Sequence, residues 1–241
     1  MNRDLRPRRQ LVLAVLLLAA ASGGLAHAAE GSEGGNLAAA PAHPALLDPS
    51  LATERAPDAY RVKLETTAGE IVILVNREWA PNGADRFYNL VRIGYYDGVV
   101  FYRVIPGFMA QCGFNPDPAV SRAWSRATIA DDPIVKENAR GMVTFAQPAA
   151  PNARTTQFFV NFTDNSYLKD HGSFAPFGKV ISGMDAIDAL YSGYGEGAPR
   201  GRGPSQQRIA TEGNAYLRAD FPELDSIVRA TIVEAEPADG E

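Results

Sequence analysis

The chain is poor in the residues that usually announce chemistry. It has one cysteine, Cys112, so no intramolecular disulfide framework holds the fold. Its three histidines are His27, His43 and His171, and their spacing matches no zinc site, so no metal and no cofactor is expected. The longest apolar run, "LVLAVLLLAAA" at residues 11–21, falls well short of the 18 or more residues that read as a spanning helix. Basic charge is also lacking. The formal net charge is −5, which argues against nucleic acid as a partner. No internal repeat and no heptad pattern is found. The glycine-rich "GYGEGAPRGRG" at 193–203 lacks the Gly-Lys-Ser/Thr ending and the strand–loop–helix setting of a phosphate loop, so it reads as a plain loop.

What is present starts with a leader. Arg3, Arg6, Arg8 and Arg9 precede the apolar run, and Ala26-His27-Ala28 follows it as a small-x-small cleavage pattern. Basic region, short apolar core and cleavage site in that order read as a signal peptide over 1–28, with export to the periplasm or beyond. Those residues carry a net +3, which takes residues 29–241 from −5 to −8. Residues 29–57, rich in Ala, Gly, Pro and Ser, read as a flexible linker, 58–235 as one folded domain and 236–241 as a disordered tail.

In the domain, Val62 and Leu64 alternate with Arg61, Lys63 and Glu65, which predicts a half-buried strand that turns at 67–69 and returns over 71–75. Pro81 predicts a helix start, with Ala84, Phe87, Leu90 and Val91 as its apolar face and Gly94 as its end. Short strands are expected around 99–104, 108–111, 142–146, 157–162, 177–181 and 226–233. A second helix is expected at "GMDAIDALYSG", with Met184, Ile187, Leu190 and Tyr191 on one face. Many short strands with two helices predict a mainly β, antiparallel barrel. Asp131-Asp132 reads as solvated charge on a polar loop.

One stretch stands out: "FYRVIPGFMAQ" at 101–111, where Arg103 sits among Phe101, Tyr102, Val104, Ile105, Pro106, Phe108 and Met109. A guanidinium cannot shed its charge by titration. Its spacing allows a structural arginine whose stem packs on the barrel and whose head reaches water. A cysteine hydrolase with Cys112 as nucleophile and His171 as base is a further alternative.

The stretch resembles the central motif of the cyclophilins, the peptidyl-prolyl cis-trans isomerases. A second block, "GMVTFAQPAAPNARTTQFFVNFTDNSYLKDHGSFAPFGKVISGMD" at 141–185, is similar to the family's other signature, and the preceding "APNGADRFYNLVRIGYYDG" also fits. The resemblance covers roughly residues 61–190. It implies a closed eight-stranded antiparallel barrel capped by two helices, here with an extended C-terminal segment and an extra helix within 206–217. It implies Arg103 as the catalytic arginine and Gln111 as the glutamine that orients it and the substrate. Phe108, Met109, Phe159 and Leu168 correspond to the proline pocket, and Ala146 and Gln147 to the backbone groups that pair with residues before proline. Tyr167 stands where cyclosporin-sensitive members have tryptophan, which implies weak or no cyclosporin binding; Phe174 stands where they have histidine. Cys112-Gly113-Phe114 departs from the usual Gly-Gly-Asp.

The expected activity is isomerisation of X-Pro bonds in unfolded or flexible exported polypeptides, by a monomer without cofactor. The alternative is a proline-peptide-binding module or holdase with little turnover.

Overall fold

The computed structural model describes residues 42–233. The expected signal peptide (1–28), the first part of the expected linker and the expected tail (236–241) lie outside the described residues. Eight strands form one sheet: β1 (Ala59–Thr66), β2 (Gly69–Asn76), β3 (Arg103–Ile105), β4 (Met109–Cys112), β5 (Met142–Phe145), β6 (Phe158–Asn161), β7 (Pro176–Ser182) and β8 (Ile227–Val233). The sheet order is β3-β4-β6-β5-β7-β2-β1-β8, and every neighbouring pair is antiparallel.

Strand alternation decides what the sheet encloses. Val62, Leu64, Ile71, Ile73 and Val75 point to one face and are fully buried, as the period of two requires. Across that core lies α1 (Pro81–Arg92), whose Ala84, Phe87, Leu90 and Val91 are buried as the sequence predicts. The Phe87 ring meets Phe158 edge-on at 5.4 Å and Phe177 at 4.9 Å, tying the helix to β6 and β7. Such offset aromatic pairs add about 0.5–1.5 kcal/mol each beyond area burial.

Three expectations are corrected. The barrel is not closed. β3 and β8 are edge strands, and the chain beside them carries only an isolated bridge, Val100 to Ser226. Residues 99–102, between the turn that ends at Gly98 and β3, form no ladder, so the two edges meet through a few irregular bonds such as Phe101 N–H to the Asp225 carbonyl. The architecture is an open, curled sheet.

The helices number five among the described residues, where two caps and one extra helix in the C-terminal segment were expected. α3 (Met184–Ala189) is the expected second one. α2 (Pro118–Trp124) starts where Asp117 accepts the Ala119 N–H at 2.8 Å. The extended C-terminal segment holds α4 (Gln206–Glu212) and α5 (Asn214–Asp220), where one helix was expected.

Finally, residues 42–57 of the expected linker pack on the domain. Ala45 and Ala56 are buried, Trp124 Nε1 donates to the Leu46 carbonyl at 3.1 Å, and Asp85 accepts the Ala56 N–H at 2.9 Å. Among the described residues no helix is long and apolar enough to cross a membrane.

α4 and α5 have their own small core. Ile209, Tyr216 and Leu217 pack with Tyr102, joined by Phe114, Phe221 and Leu224. Tyr102 immediately precedes β3, so this appendage is fastened beside the arginine-bearing strand.

Candidate active site

Register places the site on the outside of the sheet. Arg103 pairs with Gln111 across β3 and β4, and Gln111 pairs with Phe159 across β4 and β6. Directly paired residues share a face, so arginine, glutamine and phenylalanine stand in one row. Met109, two residues from Gln111, joins them on that face. The intervening Ala110 and Cys112 turn inward and belong to the main core. Met109, Phe159 and Leu168 form a separate buried cluster, against which Ile105, Phe108, Ala146 and Phe174 pack. Arg103, Gln111 and this cluster line one cleft of about 480 Å³.

Arg103 is heavily committed. Its Nε donates to Glu196 Oε1 at 2.8 Å and its Nη2 to Oε2 at 2.7 Å, a bidentate pair. Its Nη1 donates to Gln111 Oε1 at 3.0 Å, and the guanidinium lies 5.7 Å from the Phe108 ring centroid. The hydrogen bonds from Arg103 hold the Glu196 carboxyl below the usual carboxylate range, opposed by its burial and helped by the Gly197 N–H. The row continues: Gln111 Nε2 donates to Gln157 Oε1 at 3.2 Å, which also accepts the Tyr102 hydroxyl at 2.5 Å. Burial pushes the Tyr102 phenol well above its usual range, so it stays a neutral donor.

A buried asparagine network holds the apolar walls. Asn165 Nδ2 donates to the Phe108 carbonyl at 2.9 Å and to Asn161 Oδ1 at 2.8 Å. Asn138 Nδ2 donates to the Phe174 carbonyl at 2.9 Å, while its Oδ1 accepts from Thr144 Oγ1 at 2.7 Å and Asn161 Nδ2 at 3.2 Å. Satisfied polar groups of this kind rigidify what they hold. Phe174 in turn meets Phe159 edge-on at 6.1 Å.

Of the residues expected at the site, Arg103, Gln111, Phe108, Met109, Ala146, Gln147, Phe159, Leu168 and Phe174 line this cleft. Ala146 donates its N–H to the Gln157 carbonyl at 2.8 Å, which fixes its backbone at the cleft wall. The Gln147 side chain is turned into the wall, donating to Asp131 at 3.1 Å and accepting the Ser173 N–H at 2.9 Å, so its backbone is what it can offer. Tyr167 does not line the cleft; it is 52% exposed and stacks edge-on with His171 at 6.0 Å.

Comparisons with known proteins identify the family. Residues 61–210 match the family model described as cyclophilin type peptidyl-prolyl cis-trans isomerase. The chain belongs to the cyclophilin family. It is thus a peptidyl-prolyl cis-trans isomerase of that type, and its relatives bear similar names. It is 38% identical over 154 residues to a peptidyl-prolyl cis-trans isomerase of Streptomyces antibioticus, covering 58% of this chain and 87% of the relative. It is 32% identical to peptidyl-prolyl cis-trans isomerase B of Escherichia coli (strain K12), covering 71% of this chain and 98% of that one. A solved cyclophilin type isomerase of Cryptosporidium parvum shares the fold, with TM-score 0.55 and 20% identity over 74% of this chain and 99% of its own. The same protein was also solved in the presence of the dipeptide Ala-Pro.

The rival cysteine chemistry fails on position. Cys112 is fully buried, and burial pushes its thiol well above the usual range, so no thiolate forms. His171 is on the exposed loop beside Tyr167. Among the described residues no cluster of three or more His, Cys, Asp and Glu could hold a metal ion.

Two corrections concern charge. Asp132 is buried rather than solvated: it accepts the Asn82 and Gly83 N–H groups at the start of α1, each at 2.9 Å, and pairs with the fully buried Arg154 at 3.0 Å. The loop at 193–203 is no bystander, because it delivers Glu196. Sequence reasoning missed Gln157 and Glu196. Gln157 had a signal, since it is two residues from Phe159 in an extended segment and so shares its face. Glu196 had none, being 93 residues from Arg103.

Proposed function

We propose that this cyclophilin accelerates X-Pro isomerisation by aiming an Arg103 donor at the prolyl nitrogen while Phe108, Met109, Phe159 and Leu168 grip the ring. The uncatalysed barrier is about 18–20 kcal/mol because rotation breaks amide resonance. As the bond twists, the prolyl nitrogen becomes pyramidal and regains a lone pair. A donor directed there stabilises the twisted state more than the planar one, which is the condition for catalysis. The observation that carries this reading is the row Arg103–Gln111–Phe159, which sets a permanent cation at the lip of an apolar pocket.

Taking a step of about 100 s to about 1 ms requires roughly 7 kcal/mol. One charge-assisted hydrogen bond contributes about 1.5–3 kcal/mol; burial of the ring binds planar and twisted states alike, so it anchors the substrate rather than lowering the barrier. Strand-like pairing with the backbone of Ala146 and Gln147 supplies orientation for the rest. Arginine keeps its proton, so no titrating group is needed.

The N-terminal sequence supports export, with proline-containing segments of unfolded periplasmic or secreted proteins as substrates for a monomeric enzyme. Tyr167 in place of tryptophan supports weak cyclosporin binding.

Exchange NMR on a short Ala-Pro peptide tests the mechanism without a coupling protease. Arg103→Ala should lose most of the exchange enhancement while remaining folded. Full turnover in that variant would sink the arginine mechanism, and peptide binding without turnover in the wild type would favour the holdase.

A further inference from the structure

We propose that Glu196 is a positioning residue for isomerisation, a carboxylate brought in by the C-terminal extension to fix the plane of the Arg103 guanidinium. The inference rests on the reading of Arg103 as the donor to the prolyl nitrogen.

The first argument is donor counting. A guanidinium has five N–H donors, one on Nε and two on each terminal nitrogen. Glu196 takes Nε and one Nη2 hydrogen, and Gln111 takes one from Nη1. One Nη2 hydrogen, at the tip of the fork, has no protein partner, and the second Nη1 hydrogen has only the weak contact to Met109 Sδ at 3.8 Å. Side-on pairing therefore leaves the tip for substrate. Without Glu196, the remaining polar contacts, Gln111 Oε1 at 3.0 Å and Met109 Sδ at 3.8 Å, both fall on Nη1. One anchored nitrogen lets the plane swing about it, whereas two parallel N–H···O bonds do not. Catalytic groups need placement to about 0.5 Å and 10–20°. A nearby carboxylate does weaken the positive field at the tip. The gain is geometric, and for a side chain on four rotatable bonds geometry is the scarcer quantity.

The second argument is that the loop is built to present this carboxylate. The Gly203 N–H donates to the Glu196 carbonyl at 2.9 Å, and the Gly197 N–H donates to Glu196 Oε1 at 2.9 Å. A Cβ on Gly201 would fall 2.2 Å from the Glu196 carbonyl oxygen, so that position admits only glycine in this arrangement. One end of the loop is tied by the Tyr191 N–H to Asp225 at 2.8 Å, the other by the Ser205 N–H to the Tyr216 hydroxyl at 3.1 Å. Tyr216 belongs to the cluster that packs on Tyr102, beside Arg103. The extension is thus fastened to the strand whose arginine it orients. The pair is also shielded, with side chains only 19% and 32% exposed.

The test compares wild type, Glu196→Gln, Arg103→Ala and the double variant, with kcat and KM taken from exchange NMR over an Ala-Pro peptide titration and the melting temperature recorded for each. Glu196→Gln keeps the shape of the side chain but turns an NH2 toward one of the arginine donors. It should lower kcat about tenfold with KM within about twofold, the pattern of an interaction felt only in the transition state. On the Arg103→Ala background the same change should add nothing. In the wild type, the Arg103 Nε–H should give an observable resonance in slow exchange with solvent, as a proton held at 2.8 Å does.

Unchanged or raised kcat in Glu196→Gln, an effect on KM alone, an equal further loss in the double variant, or a freely exchanging Nε–H would each overturn the inference while leaving Arg103 as the donor. Wild-type turnover in Arg103→Ala would instead remove the reading beneath it.

Discussion

Replacing Asp132 by asparagine separates a buried ionic lock from a surface charge, the two readings that an Asp-Asp pair in a polar loop allows. Asp132 Oδ1 accepts one α1 N–H and Oδ2 accepts another together with Arg154 Nη2. An asparagine of the same shape offers one acceptor oxygen and an NH2 group, so three donors would converge on a side chain able to accept at one end only. The Arg154 guanidinium, fully buried, would lose the partner that balances it. Breaking a buried pair by removing one member costs about 3–5 kcal/mol, and losing an N-terminal cap about 1 kcal/mol. Asp131 remains 3.6 Å from Arg154 Nε and compensates in part. That puts the expected loss at the low end, about 3 kcal/mol.

Urea denaturation of Asp132→Asn beside the wild type measures this directly. For a domain of this size 3 kcal/mol corresponds to roughly 6–12 °C in melting temperature. The difference should persist at 1 M salt, because a shielded pair escapes the roughly 3 Å screening length that silences surface charges. A loss below about 0.5 kcal/mol, the ordinary effect of a surface substitution, would refute the lock and restore the solvated reading.

Two further outcomes are expected. Cys112→Ser should leave peptide turnover within about twofold while lowering stability by about 1–3 kcal/mol, the cost of an unmatched hydroxyl in an apolar site; abolished turnover would revive the thiol. Turnover should be flat between about pH 6 and 8, since the charged residues lining the cleft are Arg103, Glu196 and Arg200. The folded-state pKa of Glu196 is depressed by Arg103. Its contribution to stability and to arginine placement is therefore present above the ordinary carboxylate value and lost only as pH falls through the lower folded one. A pH–rate profile with an inflection near neutrality would contradict this.

How much of this was legible depended on whether the signal was local. The apolar face of α1 follows from 3.6-residue spacing, and Ala84, Phe87, Leu90 and Val91 are buried as read. The strands followed from alternation to within a few residues, and most of the pocket from the likeness of its motifs. α2 had a signal that was passed over: Asp117-Pro118 is an N-cap followed by proline at the first helical position. Whether the sheet closes was not legible, because it depends on residues 99–102, which meet the chain beside β8 through one isolated bridge rather than a ladder. Nor were Glu196 and Arg154, whose partners are chosen in three dimensions. Composition marks residues 42–57 as linker-like, yet buried Ala45 and Ala56 need no periodicity to find a place in the core.

The alternation of β4 explains why a catalyst can be built here without weakening the domain. Ala110 and Cys112 face the interior with Val160 and Phe158, while Met109 and Gln111 face the cleft with Phe159. Because the period is two, a change on the cleft face leaves the main core's packing untouched. One set of side chains fills the core and the other lines the cleft, on the same four residues. The arginine exploits the same division. On the inner face it would need a buried counter-charge, as Arg154 does. On the outer face an apolar patch raises its electrostatic reach, while Glu196 and Gln111 hold it from opposite sides. The extension that supplies Glu196 rests on Tyr102, next to Arg103 in the chain. Fold and site therefore meet at a single edge strand, and the role proposed for Glu196 predicts that changes within the loop 193–203 alter turnover without altering the sheet.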